Sequence, residues 1–329
     1  MQICDYCFND EEMRLAVRNA SAGSSICDVC GQEANVVDVD FFEDFFEEVL
    51  SLFVPNENGS NVVSILQNDW NLFANDKVGH LITEYFINHL GIKYTIDEKV
   101  DYSEKVRNNL LIWDEIKTQV TEKSRFFTSL SSFDDLQLVQ HNLIIHAGTK
   151  LYRARVIPSG KEKLNADEMG CPPAKLTPAG RANPLGIPYL YLCQEEETCY
   201  YEVRALYLDR IALGTFNVIN DLKIIDFTER MSLYVANTMA SDLAVEISKF
   251  KLIQRISRDL SKPLRRFDTE LEYVPTQLIC EFCKLNKIDG IRFNSSLHEG
   301  GVNVVLFDSN SAHCVAVKEI EIKHVSIDI

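Results

Sequence analysis

Two groups of residues in this chain have the types and spacing that can do chemistry. Cys4, Cys7, Cys27 and Cys30 form a C-x2-C-x19-C-x2-C pattern. Each C-x2-C knuckle sets two thiolates about one turn apart, and two knuckles brought together complete a tetrahedral zinc shell with no position left for water. A site of that kind is structural rather than catalytic. The chain has 10 cysteines, and in a reducing compartment paired cysteines point to metal rather than disulfides. Cys280 and Cys283 make a further C-x2-C without a matching pair. They sit in a helical pattern and read as core packing.

The second group is spread over three segments. LYRARV alternates Arg153 and Arg155 out of a strand, where side chains two apart share a face. GRANPLGIPYLYLC uses Gly180, Pro184, Gly186 and Pro188 to shape a turn before a strand carrying Tyr189 and Tyr191, and the following TCYYEVRA places Glu202 on a helix. DGIRFNSSLHEGGVNVVLF puts Ser295 and Ser296 after one strand and Gly300 to Asn303 at the start of another. A buried structural strand needs no such collection of rings and charges, whereas a pocket for a flat, charged ligand can use all of it.

The elements that must position these residues change character along the chain. Helical spacing of apolar residues is expected over 40–54, 62–73, 77–90 and 103–121, the first of them amphipathic with an acidic outer face (DVDFFEDFFEE) and ended by Pro55 and the polar loop NENGSN. His80 and His89 read as ordinary helical residues. From about Asn142 the texture becomes short β-branched and aromatic runs, LIIHAGTKLYRARV, PYLYLC, GTFNVINDLKIIDF, GGVNVVLFD and VAVKEIEIKHVSI, with helices at 196–208 and 273–285. The expected architecture is α+β, with a zinc knuckle over 1–35, a helical domain over 36–140 and a second α+β domain over 141–329.

A chain of 329 residues, 46% hydrophobic and 25% charged, has the composition of a globular protein. Its net charge of −16 repels phosphate backbones unless basic residues cluster locally, so nucleic acid is a poor partner. No apolar run suits a bilayer, and the acidic start MQICDYCFNDEE is unlike a secretory signal. A cytoplasmic protein is expected.

The second half resembles the RES-domain family, named for an Arg, a Glu and a Ser. The likeness runs through MGCPP (169–173), GRANPLGIPYLYL, ETCYYEVRA, EYVPTQ and DGIRFNSSLHEGGVNVVLF, covering about residues 148 to 325. It implies an ADP-ribosyltransferase-like fold acting on NAD, often as the toxin of a toxin–antitoxin system. The N-terminal half is similar to the HEPN-like extension of some longer members, although it lacks the R-x4-6-H of an active ribonuclease. By motif, the resemblance assigns catalysis to Arg153, Tyr191, Glu202 and Ser295. Asn294 stands where many members carry proline, so Ser295 and Ser296 can exchange roles. Arg181, Asn183, Tyr189, Ser296 and Asn303 are expected as substrate contacts.

Elementary chemistry agrees with that assignment. A guanidinium grips a phosphate through two parallel hydrogen bonds, which suits Arg153 or Arg181 to a pyrophosphate. A tyrosine ring such as that of Tyr191 can stack on the nicotinamide cation. Breaking the glycosidic bond builds positive charge on the ribose, and a fixed carboxylate, Glu202, stabilises it. Ser295 would position nicotinamide or ribose. The expected activity is cleavage of the nicotinamide–ribose bond of NAD by hydrolysis or phosphorolysis, in a toxin or phage-defence effector. The alternatives are a protein ADP-ribosyltransferase and a non-enzymatic zinc-knuckle binding module with a degenerate fold. Expected partners are NAD and an antitoxin or inhibitor protein, with a second copy of the chain left open.

Overall fold

The computed structural model describes residues 1–126, 128, 133, 138–140, 142–228, 231–262 and 270–324. Val325 to Ile327, at the end of the last expected strand, lie outside the described residues. The chain divides into two compact units, Met1–Leu111 with Arg230–Lys251, and Ile112–Glu229 with Leu252–Ile329.

In the first unit, β1 (Gln2–Cys4), β2 (Ser24–Ile26) and β3 (Glu33–Asp38) form an antiparallel sheet with β3 in the middle. Helix α1 (Glu11–Ala20) starts at Asp10, whose side chain accepts from the N–H groups of Glu12 and Met13 and so satisfies two of the free donors of the first turn. Helix α2 (Glu43–Ser51) buries Phe45, Phe46, Val49 and Leu50 and turns its acids outward, as its pattern predicts. Helices α3 (Val62–Trp70), α4 (Asp76–His89) and α5 (Glu104–Thr118) follow the expected periodicity. NENGSN differs from its expected loop. It belongs to β4 (Phe53–Asn61), paired with β5 (Lys99–Tyr102) through a bulge between Pro55 and Ser60, the kind of place where a strand tolerates proline. A Cβ on Gly59 would lie 2.1 Å from the Val100 carbonyl oxygen, so only glycine permits this approach. Helix α7 (Leu233–Met239) and the first half of α8 (Leu243–Ser261) complete the unit.

The second unit is built on an eight-stranded sheet of order β13-β9-β7-β8-β12-β11-β10-β6. Its strands are β6 (Asn142–Ile145), β7 (Lys150–Val156), β8 (Leu190–Cys193), β9 (Arg210–Val218), β10 (Leu222–Asp226), β11 (Gly290–Asn294), β12 (Val302–Leu306) and β13 (Ala312–Glu321). All neighbours run antiparallel except β10 and β11. Alternate side chains enter two cores. Ile225, Phe227, Ile291, Phe293 and Val305 pack in one with helix α9 (Val274–Leu285) and the end of α8, while Leu151, Leu190, Leu192, Ile224 and Val304 pack in the other. Cys280 and Cys283 are fully buried in the first of these cores. The short helix α6 (Glu196–Glu202) follows β8.

The division between the units falls earlier than the change of texture suggests. Trp113, Ile116 and Val120 belong to the core of the second unit, and the indole N–H of Trp113 donates to Asp259 at 2.6 Å. Residues 230–251 return to the first unit, where Ser232 donates to both oxygens of Asp10 at 2.8 Å. Leu243, Ala244, Ile247 and Phe250 of α8 lie in the first unit's core, and Leu252, Ile253, Ile256 and Leu260 in the second's. Two apolar stripes on one helix blur the single stripe that periodicity looks for.

Candidate active site

A break in the central sheet makes the site. Strands β7 and β9 pair along seven residues of each, but β7 meets β8 at a single pair, Tyr152 with Cys193. Beyond it the strands part. The Arg153 guanidinium reaches across and donates to the Tyr191 carbonyl at 3.3 Å, taking an acceptor that a continued ladder would have given to a backbone N–H. The resulting cleft, about 430 Å³, is lined by Arg153, Arg181, Asn183, Tyr189, Tyr191, Glu202, Ser296 and Asn303 among others. Ser295 joins them through Glu202. The structure therefore brings together all nine second-half residues singled out from the sequence.

Two guanidiniums, Arg153 and Arg181, line the cleft with one carboxylate, Glu202, and Arg155 follows on the same strand as Arg153. Arg153, Arg155 and Arg181 form no ion pair among the described residues; each guanidinium bonds a backbone carbonyl instead, of Tyr191, Gly170 and Leu260 respectively. Arg155 also keeps a buried Nε without a partner. Burial lowers the pKa of Arg153, and the neighbouring charge of Arg155 lowers it further. Burial likewise lowers that of Arg181, partly offset by Tyr273 and Glu202. Desolvated cations without an ion-pair partner favour an anionic ligand.

The turn that presents Arg181 is held from two sides. Tyr191 donates its hydroxyl to Asn183 Oδ1 at 2.7 Å and accepts from the N–H of Ala182 at 3.1 Å. The Asn183 amide donates to the carbonyls of Pro178 and Pro184, so a residue expected to touch substrate, 3% exposed, spends its polar groups on the loop. From α9, Gln277 donates to the carbonyls of Gly180 and Asn183, and Thr276 to that of Arg181. These two residues explain why EYVPTQ accompanies GRAN. The signal for them was a polar pair just after Pro275 at the start of the helix. A Cβ on Gly180 would lie 2.5 Å from Asn183 Oδ1 and 2.7 Å from the Tyr191 hydroxyl, so any other residue there would displace one or both groups. Tyr189 leans away from the turn and donates to Glu281 at 2.5 Å. Burial raises the pKa of both phenols, and for Tyr189 the Glu281 carboxylate adds to it.

Glu202 ends α6, and one of its oxygens is saturated. Ser295 Oγ and Asn303 Nδ2 both donate to Oε1, each at 2.7 Å, and among the described residues Oε2 takes no hydrogen bond. Ser295 Oγ in turn accepts from the N–H groups of Leu297 and His298 at 3.1 Å. Its proton and lone pairs are thus engaged within the protein, and it orients the carboxylate; Ser296 is the serine that lines the cleft. Cys193 Sγ donates to Asn303 Oδ1 at 3.5 Å, which fixes which end of that amide faces Glu202.

The four N-terminal cysteines form a separate site. Their sulfurs lie within 4.8 Å of one another, with Cys4 3.8 Å from Cys7 and 3.4 Å from Cys30, and Cys7 3.5 Å from Cys27. A tetrahedral zinc with bonds of about 2.3 Å sets sulfurs roughly 3.8 Å apart, so this donor set fits such an ion. Gly31, at φ +74°, supplies the left-handed turn that closes the second knuckle. Burial raises the thiol pKa of Cys4 to about 12. Burial also acts on Cys27, but N–H groups of Cys30 and Val29 aimed at its sulfur outweigh it, and its pKa is lowered. No helix among the described residues is long and apolar enough to cross a membrane.

No curated protein matches the chain. One similar solved structure is that of the M. tuberculosis MbcT-MbcA toxin-antitoxin complex, at 15% sequence identity over 56% of this chain and 91% of that chain, with a TM-score of 0.31. The RES domain model matches residues 150–328, a span that holds every residue lining the cleft and more than half of the protein; the chain belongs to the RES-domain family.

Proposed function

We propose that the protein consumes NAD by breaking the bond between nicotinamide and ribose. The observation that carries this reading is the pairing, in one cleft, of guanidiniums without carboxylate partners and a carboxylate with one oxygen left free. Arg153 and Arg181 would take the pyrophosphate, trading backbone carbonyls for charged oxygens. Glu202, locked through Oε1, presents Oε2 to the ribose as positive charge develops there, and a group already oriented needs no rearrangement at that moment. The Tyr191 ring supplies a wall for the nicotinamide. The leaving group departs neutral, and the acceptor adds to the ribose carbon with loss of its proton.

Water or inorganic phosphate is the first reading of the acceptor, because Glu202 ends the helix in an open cleft of modest volume. Transfer to a protein side chain is the second. The biological reading that goes with NAD depletion is a toxin or defence effector held by an antitoxin or inhibitor protein. In the first unit, HEPN-like by resemblance, we propose one structural zinc in the four-cysteine site.

The test is incubation of purified protein with NAD, reading free nicotinamide with and without phosphate, followed by intact mass of candidate protein acceptors. Release that phosphate accelerates, with ADP-ribose 1″-phosphate as product, means phosphorolysis. Phosphate-independent release with free ADP-ribose means hydrolysis. A mass gain on protein identifies transfer. NAD bound but never cleaved would overturn the enzyme reading in favour of a binding module.

A further inference from the structure

The loop 295–301, which carries Ser295, is clasped onto the helix that carries Glu202, and one residue outside the cleft makes the clasp. The His298 ring stacks on the Tyr201 ring with centroids 4.6 Å apart and planes 6° from parallel. Its Nδ1 is hydrogen-bonded to Thr198 Oγ1 at 2.9 Å. Tyr201 and Thr198 both belong to α6, one residue and one turn before Glu202. The same histidine's backbone N–H donates to Ser295 Oγ, the hydroxyl that donates to Glu202. The loop is closed on itself by Gly301 N–H to the His298 carbonyl at 3.1 Å and Ser295 N–H to the Gly301 carbonyl at 2.8 Å.

Space has been kept for this contact. A Cβ on Gly301 would lie 2.6 Å from Thr198 Oγ1 and 2.7 Å from His298 Nδ1. Its neighbour Gly300 has φ +75°, with nothing within 4 Å of where a Cβ would lie, so it serves the turn, whereas Gly301 serves the approach. Thr198 is fully buried, and a buried hydroxyl without a partner is unfavourable, so the histidine nitrogen answers a need of the helix as well as of the loop.

We infer that His298 is a positioning residue: through Thr198 and Tyr201 it fixes the loop on α6, so that Ser295 holds the Glu202 carboxylate at the angle the reaction requires. This rests on the reading of Glu202 as the group that acts on NAD. Positioning of a carboxylate affects the transition state more than the bound substrate. Loss of the clasp therefore lowers kcat and spares KM.

The variants are His298→Ala, His298→Phe, which keeps a ring without the nitrogen, and His298→Asn, whose side-chain amide can take over the bond to Thr198. Nicotinamide release is read as kcat and KM, beside thermal melting and amide hydrogen exchange of Leu297 and His298. Expected results are a 10- to 100-fold fall in kcat for Ala and Phe with KM within threefold, faster exchange at both amides, and recovery of at least a third of the wild-type kcat in Asn. Alanine retaining kcat within twofold, or raising KM at constant kcat, overturns the inference. If wild type releases no nicotinamide, the proposed function fails. Amide exchange then decides on the clasp alone, and unchanged exchange in both Ala and Phe overturns it.

Discussion

The thiol cluster and the cleft are built in opposite ways. Four thiols at the first site come from two local turns, each set by a three-residue spacing, and together they suit a closed shell around a single ion. At the second site Arg153, Arg181, Tyr191, Glu202, Ser296 and Asn303 come from strands, a turn, a helix and loops spread over 150 residues of chain, and they leave a volume open. A closed site adds stability to its own region, whereas an open one keeps cations desolvated and a carboxylate half-satisfied. Such groups make the unfilled cleft less stable than an apolar core would be. The two sites should therefore answer perturbation differently, the first in folding and the second in turnover.

The largest expected effect is metal loss. The protein should carry about one zinc per chain, and stripping it, or replacing Cys4 and Cys27 by serine, should unfold the first unit, since zinc binding in such sites is worth on the order of 10 kcal/mol. Metal analysis and circular dichroism read this, and freshly reduced protein without zinc breaks the comparison at once.

Glu202→Gln comes next. It keeps size and hydrogen bonding while removing charge, and should cost roughly two to three orders of magnitude in kcat with little change in NAD affinity. Glu196→Gln and Glu197→Gln, at the other end of α6, should stay within about twofold. Equal damage from all three would reduce Glu202 to a helix carboxylate.

Arg153→Ala should weaken NAD binding by roughly 10- to 100-fold, read by calorimetry, and Arg153→Lys should rescue little because an ammonium lacks the planar fork. Unchanged affinity in both variants moves the phosphate contact to Arg181.

The smallest effect is away from both sites. Asp226, buried at the end of β10, would have its pKa raised by desolvation, but hydrogen bonds from Arg292 at 2.5 Å and from Thr228 lower it overall. A carboxyl with a depressed folded-state pKa contributes stability above its unfolded value near 4 and loses it as pH falls through the folded one. Asp226→Asn should lower stability by roughly 1 to 2 kcal/mol at neutral pH, with the deficit shrinking below about pH 4, as read by urea melts. Nicotinamide release should stay within twofold.

How much of this was legible in the sequence follows from the same contrast. The cysteines could be read from spacing because their geometry is local. The cleft residues could be grouped by ordered motifs, but what each one touches could not, since that depends on partners far along the chain. Ser295, expected to position nicotinamide or ribose, donates its hydroxyl to Glu202. Asn183, expected as a substrate contact, lines the cleft and also ties down the turn that presents Arg181. Thr276 and Gln277 went unassigned because a polar pair at a helix start has many uses. The strand over NENGSN was hidden by its polar composition, its pairing being supplied by β5.

The seam between β7 and β8 has a mechanical consequence. In hydrogen bonding, one residue pair and one arginine side chain join two half-sheets, β13-β9-β7 on one side and β8-β12-β11-β10-β6 on the other, while an apolar core with Leu151, Leu190 and Leu192 packs across both. Arg153 rides on the first half. Tyr191, Asn303 and, through α6, Glu202 ride on the second. The width of a seam that the backbone barely stitches therefore sets how far the Arg153 guanidinium stands from the side chains of Tyr191, Asn303 and Glu202 across it.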